Sequence, residues 1–275
     1  MERIIDIYNI FIHKIFKIFV DVINFKKVNI YNLLINFFYY GNYCYSYYGV
    51  KLFNVNFNDV TFRYSCGGAY SPYYFNFLKN YNKRFIFIDI GSNLGLFSMS
   101  SALNKNCEFI FCIEPQRSII NSLKKNLSFI NNKFRICNFA ISDFNGNSFF
   151  AQNIKDLGSS KLWSSKNINK NKYLLKKVAV KNFFFFKKIL LEYPNLDFVV
   201  KIDVEGHENT VLKEIKKSKI LFKVKHFYIE TSLSNLKKIR YYLKDYKLRS
   251  VNPVISGNDI KQYCDLEFVK KTPDA

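Results

Sequence analysis

The chain has 275 residues, of which 49% are hydrophobic and 23% are charged, and this composition excludes an intrinsically disordered protein. The formal net charge is +21, but the cations are mostly lysines spread along a chain rich in Lys, Asn, Ile, Phe and Tyr. We attribute the charge to this overall composition and do not expect nucleic acid as the partner. Six cysteines without a CxxC pair exclude zinc-finger spacing and indicate buried free thiols.

The N-terminal segment, residues 1–48, is predicted to be helical. Polar residues interrupt its apolar run, and at helical spacing they share a sector of roughly 140°. This pattern predicts an amphipathic helix rather than a membrane span or a signal peptide, in a cytoplasmic protein. We expect its apolar face to pack on the rest of the chain, with peripheral membrane contact as the alternative. That face is formed by Ile4, Ile7, Phe11, Ile15, Ile18 and Val22.

Residues 49–83 form a second segment that leads into the main domain. Apolar and polar residues alternate over 50–64 around an Asn58-Asp59 turn, which predicts a β-hairpin. A short helix is predicted to open at Pro72, since proline favours the first helical position.

Residues 84–275 alternate between strand-like and helix-like stretches. The predicted strands are 84–91, 108–115, 134–142, 143–151, 197–204 and 224–230, with two more around 252–258 in the tail. The predicted helices lie at about 95–104, 118–129 and 208–218. The serine-rich stretch 153–172, which contains the only tryptophan, is predicted to be a surface loop and a lid over 158–165. Such alternation favours an α/β fold with a mostly parallel sheet and helices on both faces.

Two motifs follow the first two of these strands. The first is "DIGSNLGLF", with Asp89, Gly91, Asn93 and Gly95 in a tight turn that opens a helix. The second is Glu114, which ends the next strand 23 residues after Gly91. Small residues let a ligand approach the backbone, and an acid at this distance accepts hydrogen bonds from ribose hydroxyls. Together the motifs predict an adenosine-binding site; the alternative is a structural turn with a surface glutamate.

The third motif is "VVKIDVEGHEN", residues 199–209, where an apolar strand runs into a cluster of titratable side chains. Alternation along the strand places Lys201, Asp203 and Glu205 on one side, and His207 follows after a glycine. Open α/β sheets bind ligands at the carboxyl ends of their strands, so the cluster is a candidate catalytic site. The alternative is a strand end with salt bridges and a capped helix.

These motifs resemble the FkbM-type methyltransferases, which use S-adenosylmethionine. The resemblance rests on "FIDIGSNLGLFS", "CIEPQ", "NFAISDFNG" and "VVKIDVEGHE" and covers about residues 84–231. It implies the class I methyltransferase fold, a Rossmann-like sheet of seven mostly parallel strands whose last strand is antiparallel. One departure is Lys181-Asn182-Phe183, where family members carry Leu-Asp before a helix.

The resemblance also implies roles for individual residues. Asp89, Gly91, Asn93 and Gly95 would cradle the amino-acid part of the cofactor. Glu114 would hold the ribose, and Asp143 would contact the adenine amine. Asp203 would face the methyl donor and the acceptor.

The expected reaction is methylation of a hydroxyl on a sugar, a glycan or a secondary metabolite. The candidate catalytic residues are Asp203, His207, Glu205 and Lys201, with Asp203 and His207 as candidate bases and Lys201 as their partner. The sequence requires no metal. Two alternatives stay open: a nucleic-acid methyltransferase, or a non-catalytic domain that binds a partner or a membrane through the N-terminal helix.

Overall fold

The computed structural model describes residues 2–23, 27–68, 70–130, 133–153, 156–163, 169, 171–253 and 263–271. The helices in these ranges are α1 (Glu2–Ile23), α2 (Lys27–Phe38), α3 (Val60–Gly67), α4 (Pro72–Asn80), α5 (Leu96–Ala102), α6 (Ile120–Leu127), α7 (Phe184–Glu192), α8 (Glu208–Lys217) and α9 (Leu236–Tyr242). The strands are β1 (Tyr43–Tyr45), β2 (Lys51–Phe53), β3 (Phe85–Ile90), β4 (Cys107–Ile113), β5 (Lys133–Cys137), β6 (Ala140–Ile141), β7 (Gly146–Asn153), β8 (Lys161–Trp163), β9 (Tyr173–Lys181), β10 (Asp197–Ile202), β11 (Val224–Ser232), β12 (Tyr246–Pro253) and β13 (Tyr263–Lys270).

The main sheet has seven strands in the order β12-β13-β11-β10-β3-β4-β5. Neighbouring strands from β11 to β5 are parallel, whereas β13 is antiparallel to both β11 and β12. Ranked by their position in the chain, the strands run 3-2-1-4-5-7-6 with only the seventh reversed. This is the class I methyltransferase fold, and it confirms the predicted fold class.

Helices cover both faces of the sheet, as the continuous apolar strands require. Along β3, Ile86, Ile88 and Ile90 join one buried cluster with side chains of α7, α8 and α9. Phe85 and Phe87 point the other way, into a cluster with side chains from α2 to α6. The N-terminal helices therefore share a continuous core with the sheet, and burial of apolar surface on both faces holds the layers together.

A second sheet, in the order β6-β9-β7-β8, stands beside the main one. It divides the predicted strand 134–142 in two, because β5 stays in the main sheet while β6 pairs with β9. It also corrects the predicted loop, since β8 pairs with β7 and Ser160 Oγ accepts a hydrogen bond from the Asn153 N–H. Residues 164–168 of that stretch lie outside the described residues.

The predicted hairpin over 50–64 was wrong. The actual hairpin pairs β1 with β2, and it turns near Gly49 at a φ of +78°. Asp59 is a helix cap rather than a turn residue, because its Oδ1 accepts a hydrogen bond from the Phe62 N–H at 2.7 Å. Helix α3 then buries Phe62 and Cys66, which lie four residues apart on one face. The helix predicted to open at Pro72 is confirmed as α4.

The predicted packing of α1 was also wrong, because its apolar face is turned outward. Asn9, one of the polar interruptions, is buried; its amide donates to the Tyr40 carbonyl at 2.7 Å and accepts from the Tyr40 N–H at 3.0 Å. His13 Nδ1 lies 2.7 Å from the Tyr31 hydroxyl. These specific polar contacts, together with buried Val20, fix the side of the helix that faces the core.

Residues 181–183, which lack the acid expected before a helix, have a structural compensation. The first backbone N–H groups of a helix lack partners within the helix, so an acid is favoured there. Here the buried Glu214 of α8 supplies it, because its Oε2 accepts a hydrogen bond from the Phe183 N–H at 3.0 Å. A carboxylate from another helix thus takes the place of the absent aspartate at the start of α7.

Three further features complete the comparison with the sequence. Strand β9 and helix α9 were not predicted. The two tail strands lie at 246–253 and 263–270 rather than around 252–258, and residues 254–258 lie outside the described residues. All six cysteines are free and buried, as expected.

Candidate active site

The candidate site lies at the carboxyl edge of the main sheet, between β3 and β10. These strands are adjacent and parallel, with Asp89 opposite Lys201 and Ile90 opposite Ile202. The chain continues from β3 to one side of the sheet and from β10 to the other, so a crevice opens between them. The cleft there encloses about 580 Å³ when its open mouth is included.

The glycine turn after β3 forms one wall of the cleft. The N–H groups of Gly91 and Ser92 donate to the Ile113 carbonyl at 2.9 and 3.1 Å, which ties the turn to β4. Gly91 has a φ of +79°, and a Cβ there would lie 1.8 Å from the Asp203 carbonyl oxygen. Gly95, at a φ of +83°, would place a Cβ 2.6 Å from Leu123. Backbone packing therefore requires glycine at position 91, and the left-handed conformation favours it at position 95.

Glu114 follows β4 and joins the turn to the next loop. Its Oε2 accepts from the Asn93 N–H at 2.9 Å, and its Oε1 accepts from the Gln116 N–H at 2.8 Å. Burial raises the pKa of this carboxyl to about 7, although both hydrogen bonds favour its ionised form. Each carboxylate oxygen has capacity for a second donor, so the group can accept hydrogen bonds from a ligand in the cleft.

Asn93 has a side-chain oxygen that is available to a ligand in the cleft. It lines the cleft in a left-handed conformation, with a φ of +49°. Its side-chain oxygen is buried, and it has no hydrogen-bond partner among the residues that the structure describes. A buried acceptor without a partner typically costs about 1–3 kcal/mol, so a donor on a ligand would relieve a real penalty.

Lys201 and Asp89 lie beneath the turn and do not line the cleft. The Lys201 ammonium donates to the Gly91 carbonyl at 3.0 Å and to Asp203 Oδ2 at 3.1 Å, and lies 3.7 Å from Asp89 Oδ1. Ser98 Oγ donates to the other Asp89 oxygen at 2.6 Å. Burial alone would lower the pKa of Lys201, but Asp203 and Asp89 raise it above its ordinary value. Lys201 is therefore a charged tie between the turn and β10, not a base.

The turn after β10 shapes the opposite wall. Glu205 and Gly206 have φ values of +52° and +101°, and Glu205 is strained because its side chain disfavours this region. Glu208 stabilises the turn, since its two oxygens accept from the Gly206 N–H at 2.7 Å and the Thr231 hydroxyl at 3.2 Å. Asp203, Glu205 and His207 all line the cleft as a result.

His207 is held by a short chain of hydrogen bonds. Ser142 Oγ donates to Asp143 Oδ1 at 3.3 Å, and His207 Nε2 lies 3.1 Å from the same Ser142 oxygen. In the tautomer that satisfies both contacts, Nε2 carries the imidazole proton and Nδ1 carries the lone pair. Burial lowers the pKa of His207, opposed by Asp143, so the ring is neutral at neutral pH.

Asp143 itself is exposed and does not line the cleft, which the apolar Ala140 and Ile141 line instead. Its predicted contact with adenine has no support in this geometry. It reaches the site only through Ser142, a residue that the sequence did not single out.

The third wall is formed by residues 157–162, which overlap the segment predicted as a lid, 158–165. Leu157 N–H donates to Asp59 Oδ2 at 3.1 Å, and Gly158 N–H donates to Thr61 Oγ1 at 3.0 Å, so the segment is fixed to the start of α3. A Cβ at Gly158 would lie 2.2 Å from that Thr61 oxygen. The only sequence signal was a glycine within a serine-rich stretch, which does not show what the segment contacts.

A second, more open pocket adjoins the cleft, and the two share Leu162, Glu205 and His207. It encloses about 1160 Å³ when open solvent is included. Its remaining lining residues are Ser142, Phe144, Ser148, Lys161, Trp163 and Gly206. Aromatic rings and hydrogen-bonding groups therefore lie on the far side of His207 from the glycine turn.

Three acids beside the cleft could hold a cation. In the part of the chain that the structure describes, Asp203, Glu205 and Glu230 offer carboxylate oxygens within 4.8 Å of one another. Oxygen ligands of this kind suit Mg²⁺ or Ca²⁺. Burial, followed by the neighbouring acids, raises the pKa of Glu230, and burial raises that of the nearby Asp265 to about 6.

No family model matches the chain, and no curated protein does. Solved structures with a similar fold include M. capricolum TrmK in complex with S-adenosyl-homocysteine, at 11% identity and a TM-score of 0.40 over 72% of this chain and 68% of that one. M. jannaschii tRNA m1G37 methyltransferase has 16% identity and a TM-score of 0.45 over 84% of this chain and 57% of that one. Precorrin-6y C5,15-methyltransferase from Geobacter metallireducens has 12% identity and a TM-score of 0.39 over 72% and 86%. These distant likenesses single out no acceptor, and the fold assignment rests on the strand order.

Proposed function

We propose that the protein is an S-adenosylmethionine-dependent methyltransferase of the FkbM type that methylates a hydroxyl of a sugar, a glycan or a secondary metabolite. One observation carries the proposal. A single cleft at the switch point of the sheet joins a glycine turn and Glu114 on one side to a neutral histidine and a second pocket on the other.

The residues of the cleft suit an adenosyl sulfonium cofactor. Glu114 is placed to accept hydrogen bonds from ribose hydroxyls, and the unpartnered Asn93 oxygen suits an ammonium or amide donor. Ala140 and Ile141 supply an apolar surface for a purine ring. When bound, the cofactor would supply an electrophilic methyl group on a positively charged sulfur, which the nearby Asp203 would stabilise.

An acceptor hydroxyl must lose its proton as the new bond to carbon forms. His207 fits this role better than Asp203, because Asp203 is committed to the Lys201 ammonium while Nδ1 of His207 keeps its lone pair. The proton moves from the acceptor oxygen to Nδ1, and the hydrogen bond from Nε2 to Ser142 stabilises the charged ring. Asp143 assists through Ser142, and Glu205 lies where it can bind a second hydroxyl of the acceptor.

The adjoining pocket favours a hydroxylated ring as the acceptor. Trp163 and Phe144 offer flat apolar faces on which a sugar ring can stack, and the aromatic rings would bury its C–H groups. Ser148, Lys161 and Glu205 supply donors and an acceptor for its hydroxyls. A pocket with both features on one rim recognises a ring that is apolar on its faces and polar on its edge.

The test is transfer of a labelled methyl group from S-adenosylmethionine to a panel of saccharides and phenols, with transfer RNA and ribosomal RNA alongside. We expect an O-methylated product identified by mass spectrometry, and a loss of about 100-fold or more in rate for His207→Ala, as is usual for a general base. A methyl group found on RNA alone would replace the acceptor assignment, and an unchanged rate in His207→Ala would remove the proposed base.

A further inference from the structure

Helix α1 presents a continuous row of large apolar side chains to solvent. The row consists of Ile4, Ile7, Tyr8, Phe11, Ile15, Ile18, Phe19 and Val22, which are between 41% and 78% exposed. From its first to its last residue it runs for about 27 Å at 1.5 Å per residue. Single exposed apolar residues are ordinary, but a contiguous patch of this length marks an interaction surface.

The apolar row is not the side of α1 that packs against the domain. The opposite side of α1 is docked through the Asn9–Tyr40 and His13–Tyr31 contacts and through buried Val20. Turning the helix to bury the row would break these bonds and leave the buried amide without partners. The orientation of α1 is therefore held by the fold, and none of the residues that the structure describes covers the apolar row.

The apolar surface continues onto α2. Leu33, Phe37 and Phe38 of α2 are also exposed, and the ring of Phe38 contacts that of Phe16 on α1 with centroids 5.3 Å apart. The two helices pack against each other, so the exposed side chains of α2 widen the patch beside α1.

The charges around the row decide which partner it fits. On the helical wheel the exposed Arg3 and Lys14 lie at one margin of the row. The two aspartates on that side are neutralised, because Asp6 pairs with Lys51 at 2.7 Å and Asp21 pairs with Lys17 at 2.7 Å. The whole chain carries a net charge of +21, so a second copy would be repelled, while a negatively charged surface would be attracted.

We propose that α1 lies flat on an anionic membrane surface, with its apolar row in the lipid and its basic margin at the headgroups. An amphipathic helix with aromatic residues on its apolar face and cations beside it has this mode of binding. Within the described part of the chain, no helix is long and apolar enough to cross a bilayer. The helix therefore rests in the interface, and the fold holds the rest of the domain above it.

The test is flotation of the full chain with vesicles of phosphatidylcholine alone or with one third phosphatidylglycerol. We expect binding to the anionic vesicles that weakens as salt rises and is much weaker on neutral vesicles. Phe11→Asp/Ile18→Asp should reduce the bound fraction at least tenfold. The matched control is Leu191→Asp/Phe222→Asp, which makes the same change at exposed positions outside α1 and should bind like the original chain. All four positions are exposed, so thermal melting should show that each variant folds.

Three results would overturn the proposal. One is equal flotation of the α1 variant and the original chain, and another is equal binding to neutral and anionic vesicles. The third is absence of vesicle binding together with a dimer, seen by analytical ultracentrifugation, that the α1 variant abolishes; the row would then be a contact between copies. The assay uses no cofactor or acceptor, so its result is independent of the proposed methyl transfer.

Discussion

Charged groups usually lie at the surface of a protein and large apolar side chains in its core. The carboxyl edge of the sheet buries charges instead, and the outer face of α1 exposes apolar side chains. At the sheet edge the charged groups of Asp89 and Lys201 are almost fully buried, at 0% and 3% exposure. On α1, Ile7 and Val22 are 62% and 78% exposed. The buried charges are compensated by one another, whereas no residue in the described part of the chain covers the exposed apolar side chains. The buried charges stabilise a preformed pocket, whereas the exposed row of α1 is available to a surface outside the fold.

The largest expected effect concerns Gly91. In Gly91→Ala the new Cβ would meet the Asp203 carbonyl at 1.8 Å, so the turn must move and cofactor binding should fall at least 100-fold. Gly206→Ala is the matched control, because its φ of +101° also disfavours a side chain but nothing lies within 4 Å of the new atom. It should cost about 1 kcal/mol of stability and leave cofactor affinity nearly unchanged. Calorimetric titration and thermal melting measure both quantities, and equal losses in the two variants would contradict the account.

The next prediction concerns the buried ammonium. Lys201→Met leaves Asp89 and Asp203 without their cation and should lower the free energy of unfolding by about 3–5 kcal/mol. Adding Asp89→Asn should restore part of the loss, because it removes the unpaired charge. Arg84→Met is the control, since it breaks an ion pair on the surface and should shift the urea midpoint far less. Equal losses of stability in the two single variants would show that Lys201 does not hold the glycine turn against β10.

Cofactor affinity should rise with pH through the pKa of Glu114, which is about 7. The ionised carboxylate accepts hydrogen bonds from hydroxyls and attracts the sulfonium, so affinity should increase about tenfold between pH 6 and 8. The same raised pKa lowers stability as pH rises from about 4.5 to 7, because the unfolded carboxyl ionises first. Calorimetry across this range should show the increase in the original chain but not in Glu114→Gln. A parallel slope in both would assign the titration to another group.

The smallest expected effect belongs to Ser142. At saturating cofactor the rate should reach its plateau as pH rises through a value below 6.5, because burial lowers the pKa of His207. Ser142→Ala removes the acceptor of the Nε2 proton and should lower kcat several-fold without changing cofactor affinity. Ser142→Thr keeps the hydroxyl and should restore the rate. A loss confined to KM would show that Ser142 contacts the acceptor and does not orient the histidine.

The two regions also differ in how far the sequence could predict them. The cores of β3 and β10, 85–88 and 198–200, are apolar throughout, so their burial as parallel strands followed from composition. The ends of β4 and β10 then predicted that Glu114 and Asp203 lie at the same edge of the sheet. Composition could not predict which face of α1 packs against the core. Its polar positions were assigned to solvent, and only the tertiary partners of Asn9 and His13 show that this side faces inward.

Contacts between distant segments explain the other errors. Aspartate is common both in turns and at helix caps, so the sequence alone did not decide the role of Asp59. Its second oxygen accepts a hydrogen bond from the Leu157 N–H, 98 residues away. The predicted pairing of Lys201 with Asp203 is confirmed, but the second partner of Lys201, Gly91, lies 110 residues earlier and could not be predicted. Ser142 carried no local signal, because its role depends on what the fold places opposite it. The composition of 158–165 suggested a lid, but not its attachment to the start of α3.

The most direct test of the central claim is calorimetric titration with S-adenosylmethionine and S-adenosylhomocysteine. It compares the original chain, Glu114→Ala and the control Glu108→Ala, which removes an exposed acid from β4. We expect micromolar binding by the original chain and by the control, and loss of binding in Glu114→Ala. Absence of binding by the original chain with and without magnesium, or undiminished binding by Glu114→Ala, would contradict it.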